Sequence, residues 1–294
     1  YLPVGNHIVL LTAALAPYLM LGGPLAAVWL LASGRWIPAF VAVCVTIGSL
    51  TAMAPLYLRS SAAPAGSTVV RVLTANLRNG QADPVELVKS ARAQADILAI
   101  QELTPRAVDH LSAAGLDAAF PYRWLEPRRG ASGVGLWSRF PLHTTLRIDG
   151  YSMAFVSARI RVADVSTDPT VLVAHLPGPW PQPIDGWRND IDRLPATLDR
   201  VAGATTGAVV VAGDFNSTFD MRPFRDLLRN GYRDAAEQSG AGLRPTFPAD
   251  QPVPPFIAID HVLTYGCTAT SVRTVAIPGS DHRGLVAAVT IPSQ

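Results

Sequence analysis

Apolar residues dominate the first 58 positions of the chain. This stretch contains no Asp, Glu or Lys, and its only Arg is Arg35. A run of about 20 apolar residues is long enough to cross a bilayer as a helix. We therefore predict that residues 1–58 form a transmembrane segment of two helices, over about 8–33 and 36–58. The alternative is a soluble helical hairpin, but that would show a polar stripe, which neither segment has.

The pattern changes after Leu58. Residues 59–68 are mostly Ser, Ala, Gly and Pro, the composition of a linker. Predicted strands then cover 69–76, 96–102, 133–142, 170–176, 208–216, 257–266 and 285–291. Predicted helices run from the capping residue Asp83 to about Gln94, after Pro105, after Trp187 and over 223–229. Strands and helices mixed in this order predict an α/β domain over 69–294, with helices covering sheets.

Composition and charge add only a little to the prediction of function and topology. The net charge of +2 is too small to indicate a nucleic-acid-binding surface, and no block of Lys or Arg stands out. Cys44 and Cys267 fall in different parts of the chain, so we expect no disulfide between them. The chain begins with Tyr, and we expect it to be a fragment or a processed form. Arg35 in the predicted turn favours a cytoplasmic turn and an extracytoplasmic domain, although Arg59 argues mildly the other way.

Six of the predicted strands carry polar residues of a particular kind at one end. A strand end presents side chains to a cleft from a rigid base. Each residue alone has an ordinary explanation, such as a turn or a helix cap, but recurrence at six strand ends indicates a shared site. The residues are Asn76, Gln101 and Glu102, His175, Asp214 and Asn216, Asp260 and His261, and Ser280, Asp281 and His282.

These residue types suit metal-assisted hydrolysis at phosphorus. Glu102 and Asp281 are hard oxygen ligands of the kind that Mg²⁺ binds together with water and substrate phosphate. Asp260 and His282 form a natural pair, because a carboxylate can fix the tautomer of an imidazole. Such an imidazole can take a proton from water or hold a phosphate oxygen.

The short unit Asp214-Phe215-Asn216 adds two further polar groups. Its carboxylate and amide can orient an attacking water and donate a hydrogen bond to a phosphate oxygen. Asn216 also opens an Asn-Ser-Thr glycosylation pattern, but its place beside Asp214 favours a role in the site. His261 follows Asp260 directly on a strand, so we expect its side chain to point to the opposite face.

The ordered set of motifs identifies a resemblance. The motifs are TANLRNG, ILAIQE, SRFPL, VAHL, GDFN, IDHVL and GSDHRGL. With them the chain resembles the endonuclease/exonuclease/phosphatase superfamily over nearly all of 69–291. The resemblance implies a two-sheet α/β sandwich of the DNase I type, with its cleft at the strand ends. It also implies hydrolysis of a phosphoester with Mg²⁺, or alternatively Mn²⁺, as cofactor.

The resemblance carries roles over to individual residues. The metal ligands are Asn76, Glu102 and Asp281. The catalytic residues are His175, Asp214, Asn216, Asp260 and His282. His175 matches the histidine of the DNase-like and sphingomyelinase-like branches, where AP endonucleases use a tyrosine. Some members carry an acid or Asn two residues after the first asparagine, and Arg78 stands there in this chain, so that further ligand is lost unless Asn79 replaces it.

Substrate-binding candidates come from the segments that flank these motifs. They are Arg78, Asn79, Arg128, Arg129 and Trp180, and Arg123, Trp124 and Trp187 lie in stretches that could also rim the cleft. Such side chains can hold phosphates or a headgroup, or stack on nucleic-acid bases.

The predicted membrane segment favours a substrate that also lies in the bilayer. The chain is similar to membrane-bound actinobacterial family members linked to teicoplanin resistance, which are thought to act on prenyl-phosphate intermediates of the cell envelope. We therefore expect a multi-pass membrane enzyme whose extracytoplasmic domain hydrolyses a phosphoester or pyrophosphate of a lipid-linked or cell-envelope substrate. A membrane-tethered extracellular nuclease is the alternative, and an inactive binding or scaffold domain is a third possibility.

Overall fold

The computed structural model describes residues 3–59 and 66–293. Most of the predicted linker, residues 60–65, lies outside the described residues. The helices before this gap are α1 (His7–Ala14), α2 (Ala16–Leu19), α3 (Gly22–Ala32) and α4 (Trp36–Tyr57). By length and composition, α4 is the one helix in the described part of the chain that can cross a membrane by itself.

The first predicted membrane helix, over 8–33, is not continuous. Its parts, 7–14 and 16–32, are bent by 64° and qualify as a span only when taken together. Pro17 accounts for the break, because proline lacks the N–H of a regular helical hydrogen bond and its ring clashes with the preceding turn. Before the bend, α1 buries Leu10 and Ala13 against the domain. The described residues thus contain one continuous helix of membrane length and one broken segment, and the predicted span over 8–33 stays a prediction.

The domain adds six α-helices, one short 3₁₀ helix (Gly130–Ser132) and twelve strands among the described residues. The helices are α5 (Pro84–Gln94), α6 (Pro105–Ala113), α7 (Leu116–Ala119), α8 (Ile184–Gly203), α9 (Arg222–Asp226) and α10 (Ala235–Ser239). The strands are β1 (Thr68–Asn76), β2 (Ile97–Gln101), β3 (Tyr122–Glu126), β4 (Val134–Ser138), β5 (Leu142–Arg147), β6 (Val156–Ile160), β7 (Thr170–His175), β8 (Val209–Asp214), β9 (Arg233–Asp234), β10 (Asp260–Tyr265), β11 (Thr268–Val275) and β12 (Gly284–Ile291). The predicted strand over 133–142 is in fact two strands, since the chain leaves one sheet after Ser138 and enters the other at Leu142.

The twelve strands form two six-stranded sheets that face each other. Their orders are β11-β12-β1-β2-β4-β3 and β5-β6-β7-β8-β10-β9. The central pairs β1–β2 and β7–β8 are parallel, and each is joined by a crossover through a helix, α5 or α8. Helices thus cover the outer faces, and the predicted two-sheet α/β sandwich is confirmed.

Successive side chains of each strand point alternately into the core between the sheets and toward the outer layer. On β1, Val70 and Val72 point into the core between the sheets, whereas Leu73 and Ala75 pack beneath the helices of the outer layer. Side chains two residues apart share a face, so Asn76 continues the inner series of β1. The ends of β2, β7, β8 and β10 follow the same rule, and their polar residues therefore face the space between the sheets.

Candidate active site

Strand register brings the polar strand ends to one edge of the sandwich. Asn76 on β1 lies beside Gln101 on the parallel strand β2. In the other sheet, His175 on β7 lies beside Asp214 on β8. Asp260, the first residue of antiparallel β10, is the other neighbour of Asp214. All five side chains are buried, and they form the floor of a cleft at the end of the inter-sheet core.

Asn76 connects the two sheets at this edge. Its Nδ2 donates to Oε1 of Glu102 at 3.1 Å and to Oδ2 of Asp214 at 3.0 Å. Its Oδ1 accepts from the backbone N–H of Arg78 at 2.8 Å, which fixes the orientation of the amide. A carboxylate from each sheet is therefore held by the same asparagine side chain.

His282 lies between two carboxylates of the second sheet. Its Nδ1 is 2.8 Å from Oδ2 of Asp260, and its Nε2 is 3.8 Å from Oδ2 of Asp214. Burial alone would favour the neutral ring, but the charges of Asp260 and Asp214 outweigh it and raise the pKa of His282 to about 10. Burial and the charge of Asp260 raise the pKa of Asp214 to about 7. Near neutral pH this cluster holds a charged imidazole beside a carboxyl group that can gain or lose a proton.

His175 faces the same carboxylate from the other side. Its Nε2 is 3.9 Å from Oδ2 of Asp214. Burial, reinforced by the charge of His282, lowers the pKa of His175 to about 4. The two histidines of the cleft therefore differ in charge at neutral pH, with His175 neutral and His282 protonated.

Asn216 is fixed by the turn that follows β8. Its backbone N–H donates to Oδ1 of Asp214 at 2.8 Å, and its Nδ2 donates to the carbonyl oxygen of Leu176 at 2.9 Å. The structure thus places Asn216 beside Asp214, as the Asp-x-Asn unit predicts. Its amide also ties the turn to the segment that follows His175.

Glu102 is a partly buried carboxylate without an ion pair among the described residues. It accepts hydrogen bonds only from neutral donors, Nδ2 of Asn76 and the backbone N–H of Asn79. Burial raises the pKa of Glu102 in spite of these bonds. The charge of His282 offsets part of this effect and the charge of Asp281 adds to it, and two neighbouring carboxylates of this kind suit a bound cation. The donor set therefore fits the predicted metal site.

A second group of side chains in the cleft is compact enough for a metal ion. Asp214, Asp260 and His282 each offer an atom within 4.8 Å of the others, and this trio differs from the predicted ligands. In the trio, however, the charge on the imidazole already balances a carboxylate through the contact with Asp260. A divalent cation is better matched to Glu102, which has no such partner.

Arg78 lies near Asp281 at the mouth of the cleft. Its Nη2 is 3.0 Å from Oδ2 of Asp250, and its Nε is 4.0 Å from Oδ2 of Asp281. Arg78 and Asp250 border a pocket of about 530 Å³ that is also lined by Ser280 and Arg283. Two arginines at a pocket beside the catalytic edge suit an anionic group of a substrate.

Backbone strain is concentrated around the cleft. Seven non-glycine residues among those described have a positive φ, and four of them lie in the loops of this site: Arg78, Asn79, Glu102 and Asn216. A left-handed conformation costs a side-chain-bearing residue of order 1–3 kcal/mol unless the surroundings enforce it. Its recurrence in loops that follow β1, β2 and β8 supports a functional cleft.

The remaining substrate-binding candidates lie at the rim. Arg128 is in the segment after β3, where its backbone N–H donates to Leu103 O and its Nη2 pairs with Glu126 at 3.2 Å. Arg129 follows it and is exposed. Trp180 is 56% exposed in the loop after His175. These positions are compatible with substrate contact.

The other three residues that the sequence placed in stretches near the cleft make structural contacts instead. Trp187 is fully buried on the inner face of α8, where its Nε1 donates to Phe215 O and Ser217 Oγ and so supports the turn after Asp214. Arg123 pairs with Asp117 at 2.6 Å on the outer edge of the first sheet. Trp124 donates from Nε1 to Leu146 O, which joins the edges of the two sheets. Indole and guanidinium groups serve structure as readily as binding, and sequence alone does not separate the two uses.

The sequence pattern did not assign a role to Ser280 or Phe247. Ser280 Oγ donates to the carbonyl oxygen of Asn76 at 2.7 Å and accepts from the backbone N–H of His282 at 3.0 Å. The ring of Phe247 lies 5.0 Å from that of His282. Ser280 had a signal, since it begins the polar triplet before β12, whereas Phe247 lies in an irregular segment with no pattern.

Comparisons with known proteins agree with this architecture. Residues 73–282 match a family model described as Endonuclease/Exonuclease/phosphatase family. Comparison with curated protein sequences finds no match.

Solved structures give similar folds at low sequence identity. An endonuclease/exonuclease/phosphatase from Bacteroides vulgatus has a TM-score of 0.61 at 17% identity, covering 76% of this chain and 100% of its own. D. rerio TDP2 complexed with a single-strand DNA product has a TM-score of 0.61 at 17% identity, covering 76% and 99%. The 3′ phosphatase NExo from Neisseria, bound to a product DNA hairpin, has a TM-score of 0.58 at 19% identity, covering 74% and 98%.

Proposed function

This chain belongs to the endonuclease/exonuclease/phosphatase family, and we propose that it is a membrane-anchored, Mg²⁺-dependent hydrolase of a lipid-linked or cell-envelope phosphate. The bond cleaved is a phosphoester or a pyrophosphate, and the domain faces the extracytoplasmic side. Members of this family hydrolyse phosphoester bonds. The observation that carries the proposal is the double hydrogen bond of Asn76, which joins a cation-binding carboxylate, Glu102, to a proton-handling cluster around Asp214.

Glu102 and Asp281 are the side chains that would hold the cation, with Asn76 beside them. When bound, Mg²⁺ polarises a phosphoryl oxygen and screens the negative charge that develops in the transition state. Mn²⁺ satisfies the same oxygen ligands.

The chain's own residues handle the proton and the phosphate oxygens. Asp214, whose pKa is raised to about 7, can accept a proton from the attacking water. His282 is held by Asp260 as an imidazolium and donates from Nε2 to a phosphate oxygen. His175 stays neutral, and Asn216 fixes the turn that carries Asp214. Arg78, Asn79, Arg128, Arg129 and Trp180 are proposed to contact the rest of the substrate.

The membrane part of the proposal rests on the apolar helices. α4 has the length and composition of a membrane span. An anchored catalytic domain meets a bilayer-bound substrate at high local concentration, whereas it gains little on a diffusing polymer. The second candidate is a tethered nuclease, which is favoured by the DNA products bound to TDP2 and NExo.

A substrate panel tests the proposal. The purified full chain, in detergent with Mg²⁺ or EDTA, would be offered a long-chain prenyl pyrophosphate, a phosphoinositide, sphingomyelin and plasmid DNA. We expect Mg²⁺-dependent hydrolysis of a lipid phosphate that is lost in EDTA and in His282→Ala. Plasmid nicking that disappears in His282→Ala, without lipid hydrolysis, would establish the nuclease instead. No turnover of any substrate, together with no Mg²⁺ binding, would indicate an inactive scaffold.

A further inference from the structure

The helices before the domain contact the loops that flank the candidate active site. His7 Nε2 on α1 lies 3.1 Å from the carbonyl oxygen of Pro179, in the loop after His175. Tyr18 on α2 donates from its hydroxyl to the carbonyl oxygen of Phe256 at 2.7 Å. These contacts join segments about 170 and 240 residues apart in sequence, so the helices are packed on the domain.

Both contacted loops belong to the catalytic edge of the second sheet. The loop that holds Pro179 follows His175 at the end of β7, and the segment that holds Phe256 precedes Asp260 at the start of β10. His175 and Asp260 are the two register neighbours of Asp214. The anchoring helices therefore meet the domain at the edge where the cleft opens.

The end of α4 is also fitted closely to the segment that follows α10. Gly242 has a φ of +75°, and a Cβ placed on it would lie 2.6 Å from Cε1 of Tyr57. The backbone N–H of Gly242 donates to the carbonyl oxygen of Leu56 at 2.7 Å. Only glycine satisfies both the conformation and the close approach, which fixes the last turn of α4 against the segment 240–247.

An apolar groove of about 690 Å³ lies between these helices and that segment. None of the described residues that line it is charged. Its walls include Tyr18, Leu50, Met53, Tyr57, Leu243 and Pro245. The groove runs along the domain end of α4, whose outward side chains are largely exposed.

The segment that forms one wall of the groove continues into the active site. Leu243 and Pro245 line the groove. The next residue, Thr246, accepts from the backbone N–H of Asp260 at 3.4 Å through its Oγ1. Phe247 then packs on His282. Because consecutive Cα atoms are 3.8 Å apart, Pro245 and Phe247 are separated by at most about 7 Å.

We propose that this groove binds the hydrocarbon chain of the lipid whose phosphate the candidate active site hydrolyses. The inference rests on the proposed function. It adds that the protein recognises its substrate by the hydrocarbon chain as well as by the phosphate. A hydrocarbon chain buries apolar surface in the groove, whereas a polar ligand would meet hardly any hydrogen-bonding group there. The groove is walled by the domain end of a membrane-length helix, so a chain enters it sideways from the bilayer while the phosphate reaches the cleft.

Photolabelling tests where the chain lies. The probe is a long-chain prenyl pyrophosphate with a diazirine on its chain, incorporated with the full-length protein into nanodiscs. Ala54→Trp fills the groove, because Ala54 lines it, and Val45→Trp puts the same ring on the exposed side of the same helix as a matched control. We expect labelling at residues 50–58 and 243–245 in the unmodified chain and the control, with at least a tenfold loss in Ala54→Trp. Labelling spread evenly along α4, or unchanged in Ala54→Trp, would overturn the proposal.

Kinetics separate this inference from the proposed function. We expect Ala54→Trp to raise the KM for prenyl pyrophosphate at least tenfold and to leave kcat/KM for bis(p-nitrophenyl) phosphate, a soluble diester, unchanged. An equal loss on both substrates would mean a general structural defect and would contradict the groove. An unmodified protein that hydrolyses neither phosphate defeats the proposed function, while the photolabelling pattern still decides whether the groove binds a chain.

Discussion

Two buried histidines of this domain, His261 and His282, each hold an aspartate through Nδ1. They differ in what the other ring nitrogen, Nε2, contacts. His261 has Nδ1 2.8 Å from Asp234 Oδ2 and Nε2 2.9 Å from the carbonyl oxygen of Ser217. Both partners accept hydrogen bonds, so this ring is protonated and fully used inside the core, and its pKa is raised by Asp234 against the effect of burial. His282 uses only Nδ1 in this way and keeps Nε2 for the cleft. The predicted orientation of His261, away from the cleft, agrees with these contacts.

The same substitution removes the cationic partner of a buried aspartate at both histidines, but it should lower kcat at His282 alone. His282→Asn removes the cleft nitrogen, and we expect kcat for bis(p-nitrophenyl) phosphate to fall by about 10²–10⁴-fold. His261→Asn leaves Asp234 buried without its cation, and we expect a loss of about 3–5 kcal/mol in unfolding free energy with kcat per folded molecule unchanged. Activity assays and chemical denaturation in detergent measure the two effects. A similar loss of kcat in both variants would remove the distinction.

The two histidines of the cleft should differ in protonation. In the metal-free protein at pH 7, ¹H–¹⁵N spectra should show His175 neutral and His282 as imidazolium, since their pKa values are shifted to about 4 and about 10. Asp260→Asn should move the His282 titration to lower pH. The folded pKa of His282 lies above its usual 6.5, so its contribution to stability is present below that pH and is lost as pH rises through about 10. Both rings titrating together near 6.5 would contradict this account.

At the scale of elements, Gly213 shows how strand packing positions the site. A Cβ on this β8 residue would lie 1.8 Å from the carbonyl oxygen of Ala174 on β7. The close approach sets the spacing of the two strands one residue before His175 and Asp214. The glycine of the GDFN motif is therefore required by the backbone, whatever the chemistry of its neighbours.

A pair of glycine substitutions checks this requirement. We expect Gly213→Ala to lower the unfolding free energy by about 3 kcal/mol, because the new methyl group overlaps the neighbouring strand. Gly203→Ala is the control, since a Cβ there meets nothing within 4 Å at the end of α8, and we expect a gain of up to about 1 kcal/mol. Denaturation midpoints in detergent measure both. Equal stability of the two variants would show that the strands can separate at little cost.

Sequence periodicity predicts the elements that carry the site better than those that surround it. The runs that end in Asn76 and Asp214 are almost continuously apolar and buried, which predicts the strands themselves, whereas the inward direction of the two end residues is seen only in the structure. The edge strand β3 is partly exposed throughout and gives no such signal. The contact of Ser280 with Asn76 joins residues 204 positions apart, and that of Phe247 with His282 comes from an irregular segment. Such contacts depend on how the two sheets pack, which local sequence does not encode.

At the scale of the whole molecule, the apolar helices before the domain pack against segments that lead into the cleft. α1 packs on the domain, α2 contacts the segment before β10, and α4 ends against Gly242. A cleft held near the helices that would enter the bilayer can reach a headgroup without the lipid leaving the membrane. The sequence predicted the apolar segment and the domain, but the bend at Pro17 and this docking arise only in the folded chain.

The proposed topology has its own test. Protease added to intact cells should cleave the domain, because we place it on the extracytoplasmic side, and the fragment should be detected by an antibody to the C-terminal domain. Permeabilised cells serve as the control and should give the same fragments. A domain that is cleaved only after permeabilisation would face the cytoplasm.

The central claim is that Glu102 holds a cation next to a proton-handling cluster, and both are needed to hydrolyse a phosphoester. The most direct measurement is kcat for bis(p-nitrophenyl) phosphate with saturating Mg²⁺, with EDTA, and in Glu102→Gln, which keeps the shape of the side chain without its charge. We expect turnover with Mg²⁺, none in EDTA, and at least a hundredfold loss in Glu102→Gln together with weaker Mg²⁺ binding by calorimetry. Turnover that is equal with Mg²⁺ and with EDTA, or unchanged in Glu102→Gln, would contradict the account.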